Sequence, residues 1–288
     1  MMKKNSHLSS SSSESSSPAF DIDFDTPKGA VMQTQKSEDI SNITSLKKPI
    51  FRFSCKTIKR SEEQSVLSHV SYLAACLIIA ASGAVAGDYR NRRGVIFSAI
   101  YSPVDSPLWT LDRNELWKKA VEVERRCNSV EAREFIMTIP IGLSLAHSKE
   151  LVSIFCNEIL AKHGCVVDAN LHKDKKLDSA GNVKTFEGTH VHVLLTTRRI
   201  DSDGFKEKIR DLDERKSGYL VYWRKRWAEL ANEFLAKAGS EYRIDHRSKK
   251  SRGINEPITK PLGVVQVAKN RRLAVERRNA EITRKNMQ

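Results

Sequence analysis

The sequence predicts an α+β domain, with helices packed against a mostly antiparallel sheet. Three observations carry that class. Strand-like apolar runs recur at 49–58, 94–103, 133–143, 165–172 and 190–199. Helix-period segments fall between several of these runs, but without the strict strand–helix–strand repeat that builds a parallel sheet. The strands at 165–172 and 190–199 are separated only by a polar loop, "KDKKLDSAGNVKTFEG", which makes them an antiparallel hairpin. With 40% hydrophobic residues over 288 positions, the chain can bury a core.

Residues 1–48 contain "SSSSSESSSP" and few large apolar side chains, the composition of a disordered leader. "PIFRFSCKTI" (49–58) alternates as a strand does. "SEEQ" (61–64) has the capping-box pattern, with Ser61 as N-cap, and opens a helix. Val66, Val70, Leu73, Leu77 and Ala81 then recur at the spacing of one buried helical face, while Ser65, Ser68 and Tyr72 fall on another side. The run "YLAACLIIAASGAVAG" (72–87) is shorter than the roughly 20 residues of a membrane span and reads as a buried helix. "GVIFSAIYSP" is a strand stopped by prolines, and "LDRNELWKKAVEVERRC" (111–127) a helix. "HSKELVSIFCNEILAKHG" (147–164) is a helix that ends at Gly164, a C-cap. Trp223, Trp227, Ala231 and Phe234 line one side of a long amphipathic helix over 217–239. The end of the chain, 264–288, reads as a basic helix or tail.

The formal net charge of +14 is unevenly placed. Residues 1–48 hold six basic and six acidic side chains, whereas Lys206 to the C-terminus holds 22 basic against 11 acidic. That asymmetry calls for a polyanionic partner, nucleic acid before an acidic membrane. The five cysteines (Cys55, Cys76, Cys127, Cys156, Cys165) form no C-x-x-C pair. They fit reduced thiols in the cytoplasm and give no support for a disulfide framework or a zinc ribbon. No apolar secretory segment is visible.

In "HVHVLLTTRR", His190 and His192 are two residues apart on a strand and project from the same face, while Val191, Val193 and Leu195 face the other way. Two imidazoles seldom hold a metal, but the hairpin brings His172 of "NLH" beside them. Three histidines with open coordination positions make a coherent Lewis-acid centre. A hydrogen-bonded or solvated pair remains the other reading of H-x-H. His7, His69, His147 and His163 read as structural or exposed, and His246 as a loop or DNA residue. A metal next to a basic surface suits phosphodiester chemistry. No P-loop, kinase signature or G-x-S-x-G is present, which leaves tyrosine as a credible nucleophile, since a phosphotyrosine link conserves the energy of the broken bond.

Several stretches resemble the MobA/MobL (MobQ-type) conjugative relaxases of the HUH endonuclease class. They are, in order, "IFRFSCKTIKRSEEQSVLSHVSY", "GDYRNRRGVIFSAIYSP", "AREFIMTIPIGLS", "VVDANLH" with "HVHVLLTTRRI", and "YWRKRWAELANEFLAKAGSEYRIDHRSKKSRGINEPITKPLG". The resemblance implies an HUH-relaxase-like α+β fold with a central, mostly antiparallel five-stranded sheet and flanking helices. It implies a relaxase domain over 49–265, followed by a basic tail over 266–288. Tyr72 takes the nucleophile position and His172, His190 and His192 the metal site, with magnesium or manganese as the working ion. Glu134 and Asp88 are candidate supporting acids; Glu134 could instead partner Arg133. Arg198, Arg199, Arg247, Lys249, Lys250 and Arg252 suit phosphate contacts. The implied activity is site-specific nicking and rejoining of single-stranded plasmid DNA at a transfer origin. Its partners would be a type IV coupling protein and accessory relaxosome proteins, without membrane insertion. A non-catalytic origin-binding protein and a rolling-circle replication initiator are the alternatives. The sequence departs from the family at Leu73, where an arginine is usual, at Gly188-Thr189, where a proline commonly precedes the pair, and at Ile136, in an acidic position.

Overall fold

The computed structural model describes residues 51–60, 65–177, 183–213, 217–248 and 250–254. The expectations for residues 1–48 and 264–288, and for Lys249, lie outside the described residues. In chain order the elements are β1 (Phe53–Lys59), α1 (Val66–Ala74), β2 (Leu77–Ile79), β3 (Val85–Asp88), β4 (Val95–Tyr101), α2 (Arg113–Glu122) and β5 (Val130–Thr138). They continue with α3 (Leu145–His163), β6 (Val167–Leu177), β7 (Val183–Thr196), β8 (Arg198–Asp201), β9 (Gly204–Lys208) and α4 (Tyr219–Lys237).

The central sheet has five strands in the order β1-β5-β7-β6-β4, and every neighbouring pair is antiparallel. The α+β class and the β6–β7 hairpin therefore stand. Alternation along each strand divides the sheet into two faces. Phe135 and Met137 of β5, Ala169 and Leu171 of β6, and Val191, Val193 and Leu195 of β7 form one core with Phe155 of α3 and Trp223, Trp227 and Phe234 of α4. The opposite face packs Ala132 and Leu194 against Val66, Val70 and Leu73 of α1 and Leu116 and Trp117 of α2. Side-chain caps set three of the helix starts. Ser65 accepts from Leu67 N, Asp112 from Glu115 N and Ser144 from His147 N. Gly164, at φ 63°, ends α3 as expected.

The main departure is the run 72–87, which is not a buried helix. Helix α1 stops at Ala74, because Ala75 turns left-handed at φ 52° and Cys76 N donates back to Ser71 O. Leu77 and Ala81 leave the helical face, and the remaining apolar residues form a β2–β3 hairpin that turns at Gly83, φ 81°. The hairpin lies close against α1: a Cβ on Gly87 would come within 2.8 Å of Ser71 Cβ. Short alternating strands are hard to separate from a helix in an Ala- and Gly-rich run. The helix cap also moves by one turn, to Ser65, and 61–64 lie outside the described residues. The polar loop after His172 is shorter than expected, because both hairpin strands extend into it. Helix α2 ends at Glu122, well before Cys127. No helix among the described residues is long and apolar enough to cross a membrane.

Candidate metal centre and the tyrosine beside it

The β6–β7 register sets His172 directly opposite His190, and Asn170 opposite His192. All three imidazoles project to the α1 side of the sheet, with ring centroids 5.3 Å (His172–His190), 4.7 Å (His172–His192) and 4.9 Å (His190–His192) apart. One nitrogen from each can be chosen so that all lie within 4.8 Å of one another. Nitrogens bound to one ion at about 2.1 Å are at most about 4.2 Å apart, so small ring rotations would close the set.

The outward hydrogen bonds suit ligation. His172 Nε2 lies 2.7 Å from the Leu73 carbonyl oxygen. A carbonyl only accepts, so Nε2 carries the proton and Nδ1 keeps its lone pair. His192 Nδ1 donates to Glu134 Oε1 at 2.5 Å, which leaves Nε2 for an ion. Burial lowers the His172 pKa to about 3, against the hydrogen bond to the Leu73 carbonyl, so that ring stays neutral at ordinary pH. Burial also lowers His192, against the pull of Glu134. Neutral imidazoles are what a metal requires.

Glu134 is fully buried and stands just behind the triad. Besides His192 it receives His69 Nε2 at 3.0 Å and pairs with Lys56 Nζ at 2.8 Å. Burial raises this carboxyl, but the hydrogen bonds from His192 and His69 outweigh burial and hold it well below the usual range. Glu134 is thus an ionised orienting group. It does not partner Arg133, which points to the other face and pairs with Asp213. His69, expected to be structural or exposed, is buried and belongs to this constellation. Its one sequence signal was its place three residues before Tyr72 on the same helix. On β6, Asn170 Nδ2 donates to Asp168 Oδ1, and Asp168 is gripped by Arg113 and Trp117 Nε1. That network supports the strand carrying His172.

Tyr72 sits in the last turn of α1, with its side chain 42% exposed. The next residue, Leu73, buries its side chain in the core and gives its carbonyl to His172. That carbonyl is among those a helix end leaves without an intrahelical donor. His172 therefore ties the tyrosine's helix turn to the triad. Tyr89 packs edge-on against the Tyr72 ring at 5.3 Å, and the Arg92 guanidinium stands 4.0 Å from its centre. Asp88 is not in this group. It is exposed and clasped by Arg90, whose hydrogen bonds lower its pKa to about 2.

The basic candidates divide between the two ends of the sheet. Arg198 pairs with buried Glu124 at 2.9 Å, and Arg199 with Glu207 at 3.1 Å. Both lie beyond the end of β7, and Arg198 is roughly 20 Å along an extended chain from His192. Arg247 and Arg252 gather around Asp245 at 2.8 and 3.5 Å, and Lys250 opens the 3-10 turn that ends at Arg252. Arg224 docks that segment by donating to the carbonyls of His246 and Phe53. Phe53 pairs with Met137, next to the Thr138–His190 pair, so this segment lies at the triad's end of the sheet.

The sequence pattern of the MobA/MobL family matches residues 64–272. The chain is 28% identical over 258 residues to Mobilization protein MobL of Acidithiobacillus ferridurans, covering 80% of this chain and 66% of that protein. It is 29% identical over 245 residues to Conjugal transfer protein TraA of Rhizobium radiobacter, covering 75% of this chain and 21% of that one. It therefore spans about two thirds of the first and about a fifth of the second. A solved structure described under the molecular basis of vancomycin resistance transfer in Staphylococcus aureus superposes with a TM-score of 0.60 at 28% identity, covering 69% of this chain and 99% of that one.

Proposed function

From the premise that this chain belongs to the MobA/MobL family, we propose that it is a plasmid-mobilisation relaxase that nicks and rejoins single-stranded DNA at a transfer origin. The carrying observation is the His172–Leu73 link, which joins the turn bearing Tyr72 to the three-histidine cluster.

In this reading the Tyr72 hydroxyl oxygen attacks the phosphorus at the nick. The new Oη–P bond forms as the P–O3′ bond breaks, and the departing 3′ oxygen takes the bond's electrons and a proton. The phenol loses one proton, so the exchange needs neither ATP nor a redox partner, and reversal by a 3′ hydroxyl reseals the strand. Held by His172, His190 and His192, a divalent ion such as magnesium or manganese would neutralise charge on the phosphate and polarise it. Glu134 fixes the His192 tautomer, and the Leu73 carbonyl fixes that of His172. Arg247 and Arg252, at the same end of the sheet, would follow the strand's phosphates. A coupling protein and accessory relaxosome proteins would complete the transfer machinery.

The test is nicking of a supercoiled plasmid that carries the protein's own origin, with magnesium or manganese present. Wild type should leave protein covalently joined to the 5′ end. Tyr72→Phe should bind the origin oligonucleotide but form no adduct. Origin binding without cleavage by wild type would instead identify a non-catalytic origin-binding protein. Support of replication but not of transfer would identify a replication initiator.

A further inference from the structure

The segment between β3 and β4 carries three arginines with different surroundings. Arg90 is engaged with Asp88. Arg93 is exposed. Arg92 is half-buried, and its backbone N–H closes a turn onto the Tyr89 carbonyl at 2.8 Å. Its guanidinium lies over the Tyr72 ring, 4.0 Å from the centre, within cation–π range. Among the described residues its Nη1 is buried and has no hydrogen-bond partner. Leaving a buried, charged N–H unpaired costs free energy, so this donor has room for one more acceptor. Here a buried, charged donor stands open between a phenol and a metal-type histidine cluster.

We propose, resting on the reading of Tyr72 as nucleophile, that Arg92 is a catalytic residue whose Nη1–H donates to a non-bridging oxygen of the scissile phosphate. The guanidinium stays protonated throughout. It stabilises the negative charge carried by the phosphoryl oxygens as the Oη–P bond forms and P–O3′ breaks, and it transfers no proton. Its stacking on the Tyr72 ring holds that donor in register with the nucleophile, so one side chain orients both partners.

The test is single-turnover cleavage of a single-stranded oligonucleotide spanning the nick mapped on the cleaved plasmid, at saturating DNA. Arg92→Ala should lower the saturated rate of adduct formation by on the order of 10²–10³-fold. Its oligonucleotide affinity should change only a few-fold. Arg92→Lys should recover part of the rate, and Arg93→Ala should stay within a few-fold of wild type. A methylphosphonate at the scissile position, which lacks one charged oxygen, should slow the wild type strongly and Arg92→Ala much less. Equal slowing of both, or a wild-type saturated rate in Arg92→Ala, would overturn the assignment. If Arg92→Ala does not fold, the same comparison in Arg92→Met, which keeps an apolar stem without the donor, decides the matter. An adduct retained in Tyr72→Phe would instead strike the nucleophile reading, which the arginine variants leave untouched.

Discussion

Along β7, Val191, Val193 and Leu195 enter the core beneath α3 and α4, while His190 and His192, between and beside them, enter the face covered by α1. The two faces of this sheet differ in the same way along β6, where Val167, Ala169 and Leu171 alternate with Asp168, Asn170 and His172. The α3–α4 face is closed by Phe155, Trp223, Trp227 and Phe234, with the Phe155 ring 5.5 Å from that of Trp223 and 5.0 Å from that of Trp227. The α1–α2 face sets His172, Asn170, Asp168, Glu134 and His69 among its apolar residues, each polar group held by a partner. The difference teaches how a small sheet separates stability from chemistry. Burial on one side holds the strands in register, and register aligns the three histidines on the other. A slip by one residue would exchange valines for histidines on both faces at once.

The largest expected break in that comparison is Tyr72→Phe, which touches only the chemical face. It should reduce adduct formation on the order of 10⁴-fold or more, with the thermal midpoint nearly unchanged. Trp227→Ala is its counterpart on the structural face. Removing a fully buried indole should lower unfolding free energy by about 3–5 kcal/mol, measured by urea denaturation, while protein still folded in the cold keeps its adduct chemistry.

Glu134→Gln sharpens the contrast from within the site. It removes the charge on which His192 and His69 are oriented, and should weaken manganese binding roughly 10–100-fold by titration calorimetry. Unchanged affinity would show that the triad does not depend on its orienting acid. Gly87→Ala acts through geometry alone. The new Cβ would meet Ser71, so hairpin and helix must part, with a loss of about 1–3 kcal/mol and slower adduct formation.

The last expected effect concerns acid. Burial lowers the His163 pKa from 6.5 to about 4, with its ring against Trp223 on the structural face. The unfolded chain binds this proton below about pH 6.5 and the folded protein only below about 4. Stability therefore falls as pH drops through that window, by at most about 1.4 kcal/mol per pH unit from this one group. In His163→Gln, which can still accept from Trp223, the thermal midpoint should depend less steeply on pH over the same range.

Much of this architecture was legible beforehand because it rests on local periodicity. Alternation in 190–199 put the two histidines on one face and the valines on the other. Ser144 and Gly164 bound α3 by capping and left-handed geometry, and the four apolar residues of 217–239 define the buried side of α4. The run 72–87 reads as a helix but folds as a hairpin, because Ala, Gly and short apolar strings suit both equally. What ends α1 is the left-handed turn at Ala75, helped by the hydrogen bond from Ser71 Oγ to Cys76 O, neither of which is a sequence pattern.

Residue types and spacing by themselves thus determined the fold class, the hairpin and the identity of the three clustered histidines, since those follow from neighbours along the chain. Only the tertiary structure decided what surrounds them. Glu134 became the acid behind His192 because β5 pairs with β7. His69 and the Leu73 carbonyl reached the same centre because α1 lies across that face, and Arg92 came to rest on Tyr72. Those contacts join residues up to 99 positions apart, and no local periodicity encodes a distance of that kind.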